Sequence, residues 1–498
     1  MENLMGKIIS LCKRRGFIFP SSEIYGGFSS SYDFGPLGVE LKRNIKEAWW
    51  KEMVQMHENI VGLDAAILMS PKVWEASGHL SAGFADELVE CKKCHRRFRF
   101  DEIINSKSKT LNPKQIQNIR CPECGGELLP PRKFNLMMKT FVGPVEDESS
   151  VAYLRAETCQ GIYVNFKNVM TSMRLKLPLG IAQIGKSFRN EITPKNFIFR
   201  TREFEQMEMQ FFVAPLQKNF KSPASAKASA SKQNSCPSGR RAEFKIQTPD
   251  EWFEYWKNER LNWYIKLGIK KEHLRAREVP EEERAHYAKR QVDIEYKFPF
   301  GWQEIEGIHN RGNWDLSRHS KFSGEDLTYT DPETGEKFIP YIIETSVGVE
   351  RSLLAFLVDA YEEVKGGRNK TTKATKEVEV VLKLHKTLAP IKVAVLPLVK
   401  NKEEIVKKAR EVYQMLQPHF MCQYDEVGSI GRRYRRQDEI GTPLCVTIDF
   451  DTLKQNDVTV RDRDTMEQER VEVEKLIEYL NQKLEITNEI TNETRPRW

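Results

Sequence analysis

Nowhere in the 498 residues is there an uninterrupted apolar run long enough to cross a bilayer, and no apolar leader follows Met1-Glu2-Asn3. The expectation is a cytoplasmic protein with no membrane partner. Cysteine is sparse. The count is nine, an odd number, and Cys12, Cys159, Cys236, Cys422 and Cys445 are scattered. Such a pattern builds no disulfide framework and fits reduced thiols. A strong charge of one sign is also missing: the net is +7, which permits a polyanionic partner such as RNA without demonstrating one. One compact core is excluded by length, which favours two or three domains.

The other four cysteines are concentrated. Cys91-x-x-Cys94 and Cys121-x-x-Cys124 form two knuckles in one short basic insert, the second within Cys-Pro-Glu-Cys-Gly-Gly. Four thiolates at this spacing suit tetrahedral Zn²⁺, and the small residues allow turns whose amides reach the sulfurs. Cys91, Cys94, Cys121 and Cys124 are therefore the expected ligands of a structural zinc. Free thiols are the alternative; a redox role is weaker because a closed four-cysteine site keeps no open position. A zinc ribbon identifies no reaction.

Pro36 opens an amphipathic helix over 36–54, with Leu41, Ile45, Ala48, Trp49 and Met53 at helical spacing. Packing on its own core and a dimer contact both fit it. Residues 181–213 read as two extended runs around a polar turn. Residues 222–241 are rich in Ser, Ala and Lys without apolar periodicity, the composition of a disordered surface loop. Helical patterning spans 249–289, strands are expected over 292–306 and 338–345, and a helix over 348–358. The polar stretch 366–376 reads as a linker. Beyond it strand and helix alternate: 391–399 is β-rich, Ile405, Ala409, Val412 and Leu416 form a helical stripe, and 444–450 is β-rich again. That alternation predicts a separate α/β domain of about a hundred residues.

Three distant segments place charges inside strand-like apolar runs: Phe188-Arg189-Asn190-Glu191 with 199–208; Trp302-Gln303-Glu304-Ile305-Glu306-Gly307; and 344–351, Glu-Thr-Ser-Val-Gly-Val-Glu-Arg. Charges on a half-buried sheet are costly unless paired or used. A structural salt-bridge network accounts for any one segment, and less well for all three together.

These segments resemble the signature motifs of class II aminoacyl-tRNA synthetases, and specifically of the homodimeric glycyl-tRNA synthetases. FRNE followed by RTREFEQME is similar to motif 2, ETSVGVER to motif 3, and residues 33–54 to motif 1, the dimer helix. LRAETCQGIY (154–163) resembles the glycine-site strand and GWQEIEGIHNR (301–311) the ATP and metal strand. Residues 428–447 resemble the anticodon-binding domain shared by the glycyl, histidyl, prolyl and threonyl enzymes. The likeness spans nearly the whole chain except the low-complexity segment.

The resemblance implies an α+β fold: an antiparallel-sheet catalytic core with zinc-ribbon and helical insertions, plus a C-terminal α/β anticodon-binding domain. Core segments are expected over 1–88, 129–217 and 292–365, the ribbon over 89–128, the loop over 218–241 and a helical insertion over 242–291. A linker over 366–388, the anticodon-binding domain over 389–485 and a tail over 486–498 complete the division. The implied reaction activates glycine with ATP and Mg²⁺ and passes it to tRNA(Gly). Arg189 and Arg351 are the implied catalytic pair, meeting the α- and γ-phosphates. The ATP set adds Asn190, Glu191, Phe199, Arg200, Thr201, Arg202, Glu203, Phe204, Glu304, Ile305, Gly348, Val349 and Glu350. Phe204 would stack on adenine with Glu191 near its amino group, while Arg200 and Arg202 support the motif 2 loop or the tRNA end, or are surface charge.

For glycine the implied set is Arg99, Glu157, Phe204, Glu205, Gln206, Met207, Glu208, Glu344, Thr345, Ser346, Val347 and Gly348. Three carboxylates, Glu157, Glu208 and Glu344, around one ammonium make physical sense, and crowding excludes a Cβ methyl. The chain departs from the family at Ala156 and Thr345, usually proline, and at Cys159, usually alanine; the carboxylates are retained on less constrained strands. Arg432, Arg433, Arg435 and Arg436 around Tyr434 are either a solvated helix face or phosphate contacts. A prolyl-type enzyme would not need the three glutamates. A non-catalytic relative that keeps the fold to bind nucleic acid would not need Arg189, Glu191, Phe204, Glu304 and Arg351.

Overall fold

At the centre of the computed structural model, strand 203–213 carries Met207, Met209, Phe211 and Val213 on one side and Phe204, Gln206, Glu208 and Gln210 on the other. The structure describes residues 4–81, 84–100, 103, 119–192, 195–215, 248–285, 287–365 and 378–485; the segment 222–241, expected as a loop, lies outside them. Seven strands form the main sheet. In chain order they are β1 (Ile60–Gly62), β2 (Leu179–Phe188), β3 (Glu203–Val213), β4 (Leu274–Glu278), β5 (Arg290–Phe298), β6 (Gly301–Gly312) and β7 (Tyr341–Gly348). They lie in the order β4-β5-β6-β7-β3-β2-β1. Every pair is antiparallel except β1 with β2.

Period-two alternation gives this sheet two chemically different faces. The helices that cover it are α1 (Pro36–Trp50), α2 (Cys159–Met173), α3 (Pro249–Lys266), α4 (Trp314–Ser323) and α5 (Val349–Ala360). On the apolar face Met207, Met209, Phe211, Ile343 and Val347 pack with Leu41, Ile45 and Trp49 of α1, Phe253 and Trp256 of α3, and Leu353 and Leu357 of α5. The opposite face carries the polar residues; at its far end Phe212 and Ile342 meet Ile162 and Phe166 of α2 and Leu316 of α4.

Charges that stray onto the apolar side are paired. Glu306 of β6, in register with Val347, receives both Nε and Nη2 of Arg260 at 2.6 and 3.2 Å. The guanidinium lies over Trp263 at 4.5 Å, and neither side chain is more than 1% exposed. Lys42 of α1 bridges Glu205 (2.7 Å) and Glu350 (2.6 Å), and Glu350 accepts the Glu205 N–H at 2.9 Å. One lysine thus ties α1, β3 and α5 together.

Two expectations are corrected. The helical reading of 249–289 fails beyond Lys266, because Leu274–Glu278 is the edge strand of the sheet. Its alternation is ionic rather than apolar: Arg275 and Arg277 reach Glu295 and Arg277 reaches Asp293, so no hydrophobic period betrays it. The linker expected over 366–388 contains a strand, Val378–Leu382, paired with Tyr361–Lys365, and Leu382, Leu384 and Leu388 join the main core.

The insert forms a three-stranded sheet of 85–90, 97–99 and 132–135. Toward the C-terminus a five-stranded sheet, ordered 422–424, 393–397, 444–448, 457–462, 468–472, packs on helix Glu403–Leu416 through Ile405, Ala409, Val412 and Leu416, the stripe read from sequence. The basic helix Ile430–Ile440 is not a free cationic face. Arg433 is buried and donates to the carbonyls of Gly428 and Pro397, Arg435 pairs with Glu379 and Arg436 with Asp425. No helix among the described residues is long and apolar enough to cross a membrane.

Removing one partner of a dry ion pair strands the other. Glu306→Ala should therefore destabilise the chain by about 3–5 kcal/mol in urea melts; a loss below about 1 kcal/mol would mean that Arg260 finds another acceptor.

Candidate active site

The polar face concentrates its charges where β3, β6 and β7 run side by side. Register places Glu208 opposite Gln183 on β2 and Ser346 on β7, and Glu344 opposite Gln210 and His309. Thr158, at the start of α2, donates its hydroxyl to Glu208. Glu157 accepts from Gln160 Nε2 at 2.8 Å and from the Cys159 thiol at 3.0 Å, with His79 Nε2 3.4 Å away. Cys159 Sγ and single oxygens of Glu208 and Glu344 lie within 4.8 Å of one another. Gly307 belongs here for room: a Cβ would come within 2.7 Å of the His309 ring.

Like charges buried together must be compensated or neutralised. Burial opposes ionisation of Glu344, but Arg311 Nη1 at 2.9 Å and His309 Nδ1 at 2.9 Å outweigh it and hold its pKa down to about 2. Gln210 Nε2 donates to the same carboxylate at 2.9 Å. Glu157 is likewise held well below the carboxylate range: His79 and Arg311 overcome its burial. Among the described residues Glu208 forms no ion pair, and Arg311 acts on it only weakly through the field. Burial first, then the charges of Glu344 and Glu157, push it up to about 8. Burial also keeps Cys159 a neutral thiol. Arg311 is fixed in turn by two bonds to Asp315, 2.7 and 2.8 Å. Gln183 is fully buried, and its amide makes no hydrogen bond among the described residues, a condition that calls for a ligand.

Beside this cluster stands an arginine between aromatic rings. Arg189 lies 5.4 Å from the Phe204 ring and 5.8 Å from Phe84, and its Nε donates to the Ala156 carbonyl at 3.1 Å. Glu191 is buried, and among the described residues its Oε2 accepts no hydrogen bond and lies 4.0 Å from Arg200. At the start of α5, Arg351 stacks on Phe199 at 4.7 Å and reaches Glu304 Oε2 at 3.2 Å.

Several residues expected at the site do other work. Glu205 and Glu350 are the partners of Lys42, and Met207, Val347 and Val349 are core, as is Ile305. Thr345 faces the core as well, in a strand paired on both sides, so the missing proline leaves the ladder regular. Thr201 bonds the Glu203 carbonyl, Glu203 pairs with Lys186, Arg202 with the Ser29 carbonyl, and Arg99 with Asp86 inside the insert. Phe204, Gln206, Glu208, Glu344, Ser346 and Gly348 share the polar face by register. Sequence reading passed over His79, Thr158, Gln183, Gln210, His309 and Arg311. Buried amides inside apolar strands and a His-x-Arg pair in β6 were the available signals; His79 had none.

The four insert cysteines converge, with Sγ atoms within 4.8 Å of one another. The backbone N–H of Cys94, with that of Lys93, pulls the Cys91 thiol down to about 6 against the effect of burial. A Cβ at Gly126 would fall 2.9 Å from Cys91 Sγ, so glycine is required to close the knuckle.

The tRNA synthetase class II core domain (G, H, P, S and T) matches residues 144–225, and an anticodon-binding domain matches 392–483. The chain is 52% identical to a glycine–tRNA ligase of Treponema denticola over 97% of both chains. It is 51% identical to that of Thermobifida fusca, over 96% of this chain and 98% of the relative. For the Alkaliphilus oremlandii ligase the figures are 50%, 97% and 99%.

Glu208 keeps its proton in the folded chain to about pH 8, whereas an unperturbed glutamate loses it near 4.5. Between those values the folded state binds more protons, so this residue makes stability fall as pH rises. Glu157 and Glu344 titrate below the window, since their pKa values are lowered. Glu208→Gln should remove the slope, gaining on the parent chain by about 2–4 °C between roughly pH 5.5 and 8.5 in thermal melts. A constant offset across that range would mean Glu208 is already ionised.

Proposed function

The chain belongs to the glycine–tRNA ligase family, and on that premise we propose how its polar sheet face activates glycine with ATP and passes the glycyl group to tRNA(Gly). The supporting observation is the buried cluster of Glu157, Glu208 and Glu344, in which Glu208 alone forms no ion pair among the described residues. Glycine's ammonium completes one. Glu344 is already held by Arg311 and His309 and acts chiefly as a rigid wall, while Cys159 and Thr158 fill space that a Cβ would need. Gln183 offers its amide to the substrate.

Activation brings two anions together: the glycine carboxylate attacks the α-phosphorus and pyrophosphate leaves. Arg189, steadied by the Ala156 carbonyl next to Glu157, holds carboxylate and α-phosphate in line. Phe204 takes the adenine face and Glu191 its amino group. Arg351 leads the α5 N-terminus toward the γ-phosphate, and Glu304 stands by to hold Mg²⁺, which neutralises phosphate charge when bound. In the second step the terminal ribose hydroxyl of tRNA attacks the glycyl carbonyl and AMP leaves. The C-terminal domain reads the anticodon arm. A second copy docks along α1, whose outer side forms a groove of about 580 Å³ with Arg43, Trp50, Lys51 and Ile184. Cytoplasmic residence completes this reading. Cys91, Cys94, Cys121 and Cys124 hold one structural Zn²⁺ that closes the insert, their converging sulfurs fitting a tetrahedral ion.

ATP–pyrophosphate exchange with each standard amino acid tests the assignment: glycine alone should support it, and exchange with proline would overturn it. Glu208→Gln should raise KM for glycine about tenfold or more with that for ATP little changed. Because the ammonium needs Glu208 charged, the parent KM for glycine should fall as pH rises toward 8, and the variant should lose that dependence. Arg351→Ala should raise KM for ATP instead, and Arg189→Ala should lower turnover most. Equal damage to both substrates from Glu208→Gln would make that carboxylate structural.

Purified protein should carry about one zinc per chain. Cys91→Ser should lower that content and loosen the insert more than it slows exchange. Four freely titrating thiols in a fully folded insert would exclude the metal.

A further inference from the structure

Glu157 is held by one edge. Gln160 Nε2 at 2.8 Å, the Cys159 thiol at 3.0 Å and His79 Nε2 at 3.4 Å all converge on its Oε1, and no described residue donates to Oε2. The lowered pKa of this carboxyl leaves it a pure acceptor. The three contacts therefore decide which oxygen is left to face the pocket. Gln160 is itself fixed, since its Oε1 meets His319 Nε2 at 2.8 Å. His79 needs a partner of its own, because an imidazole set against a carboxylate donates only if the nearer nitrogen carries the proton.

That partner is two residues away. The short helix Pro71–Ala76 ends at Ser77, and the left-handed backbone of Gly78 (φ +81°) turns the chain so that Ser77 Oγ meets His79 Nδ1 at 2.8 Å. The Trp74 carbonyl lies farther from the same hydroxyl, at 3.3 Å. The imidazole is wedged between Trp74, edge-on at 5.3 Å, and Phe84 at 4.4 Å, and both Ser77 and His79 are buried. Hydroxyl to Nδ1 and Nε2–H to carboxylate form a directional chain, since a ring that accepts at Nδ1 carries its proton on Nε2. Phe84 also lies 5.8 Å from the Arg189 guanidinium, so one phenyl ring backs both His79 and Arg189.

We propose that Ser77 and His79 are positioning residues for the amino-acid substrate. The Ser77 hydroxyl selects the Nε2–H form of His79, which pins Glu157 Oε1 and leaves Oε2 turned to the substrate ammonium beside Glu208. Both residues act through Glu157. The inference rests on the functional reading above and deepens it: Glu208 meets the ammonium with its charge, and Glu157 adds an acceptor whose direction is fixed beforehand.

Ser77→Ala keeps the imidazole and its packing but removes the donor to Nδ1, whereas His79→Phe keeps a ring and removes both nitrogens. In ATP–pyrophosphate exchange each should raise KM for glycine about threefold to tenfold, as for one lost hydrogen bond, with turnover and KM for ATP within about twofold of the parent. Ser77→Thr, which retains the hydroxyl, should restore the parent value. Histidine-selective nitrogen NMR, with the His79 signal identified by its loss in His79→Phe, should show the proton on Nε2 in the parent and a mixture of ring forms in Ser77→Ala. A parent ring protonated at Nδ1 or at both nitrogens would overturn the proposal. So would a parent-like KM for glycine in Ser77→Ala, or equal rises in KM for glycine and ATP, which would make the pair a support of the fold. A parent chain inactive in exchange with glycine would instead sink the functional reading, and the ring tautomer, read without substrate, would still judge the Ser77–His79 relay.

Discussion

Burying several carboxylates in one dry pocket is possible only if a fixed cation meets most of their charge, and Arg311 is that cation. It bonds Glu344, lowers Glu157 through the field and is itself clamped by Asp315. With two carboxylates satisfied, the third is left in a definite electrical state. Burial and the neighbouring charges of Glu344 and Glu157 favour the protonated form of Glu208.

The sheet makes that arrangement possible. A period of two separates Met207, Met209 and Phe211 from Gln206, Glu208 and Gln210 without any break in β3, so a core and a reactive surface share one set of backbone hydrogen bonds. The apolar side secures the polar side. Lys42 joins α1 to β3 and α5, and Arg260 with Glu306 joins α3 to β6, so β3, α5 and β6, which present Glu208, Arg351 and Arg311, are each tied to a covering helix. Charges on the apolar face are therefore ties between elements, although in the sequence they look the same as charges that meet substrate.

Much of the architecture is legible in the sequence. Paired cysteines, the C-terminal strand and helix rhythm and the motif segments each rest on local spacing, and spacing is written in the chain. The edge strand Leu274–Glu278 was not legible, because Arg275 and Arg277 replace apolar alternation with cross-strand ion pairs. The arginine cluster near Tyr434 divides in the structure: Arg433 is spent on the carbonyls of Gly428 and Pro397 inside its own domain, whereas Arg432 and Arg435 are exposed.

The sequence by itself determined the residue types, the two knuckles and the three glutamates, since local period and motif order survive without knowledge of the fold. Only the tertiary structure decided which charges meet. Glu205 and Glu208 stand three residues apart in one strand, yet opposite parity sends the first to Lys42 and the second to the pocket. Glu157, Glu208 and Glu344 acquire unlike proton affinities from His79 and Arg311, residues remote in the chain. Electrostatic interaction depends on distance through space and on burial, and neither is a property of position along the chain.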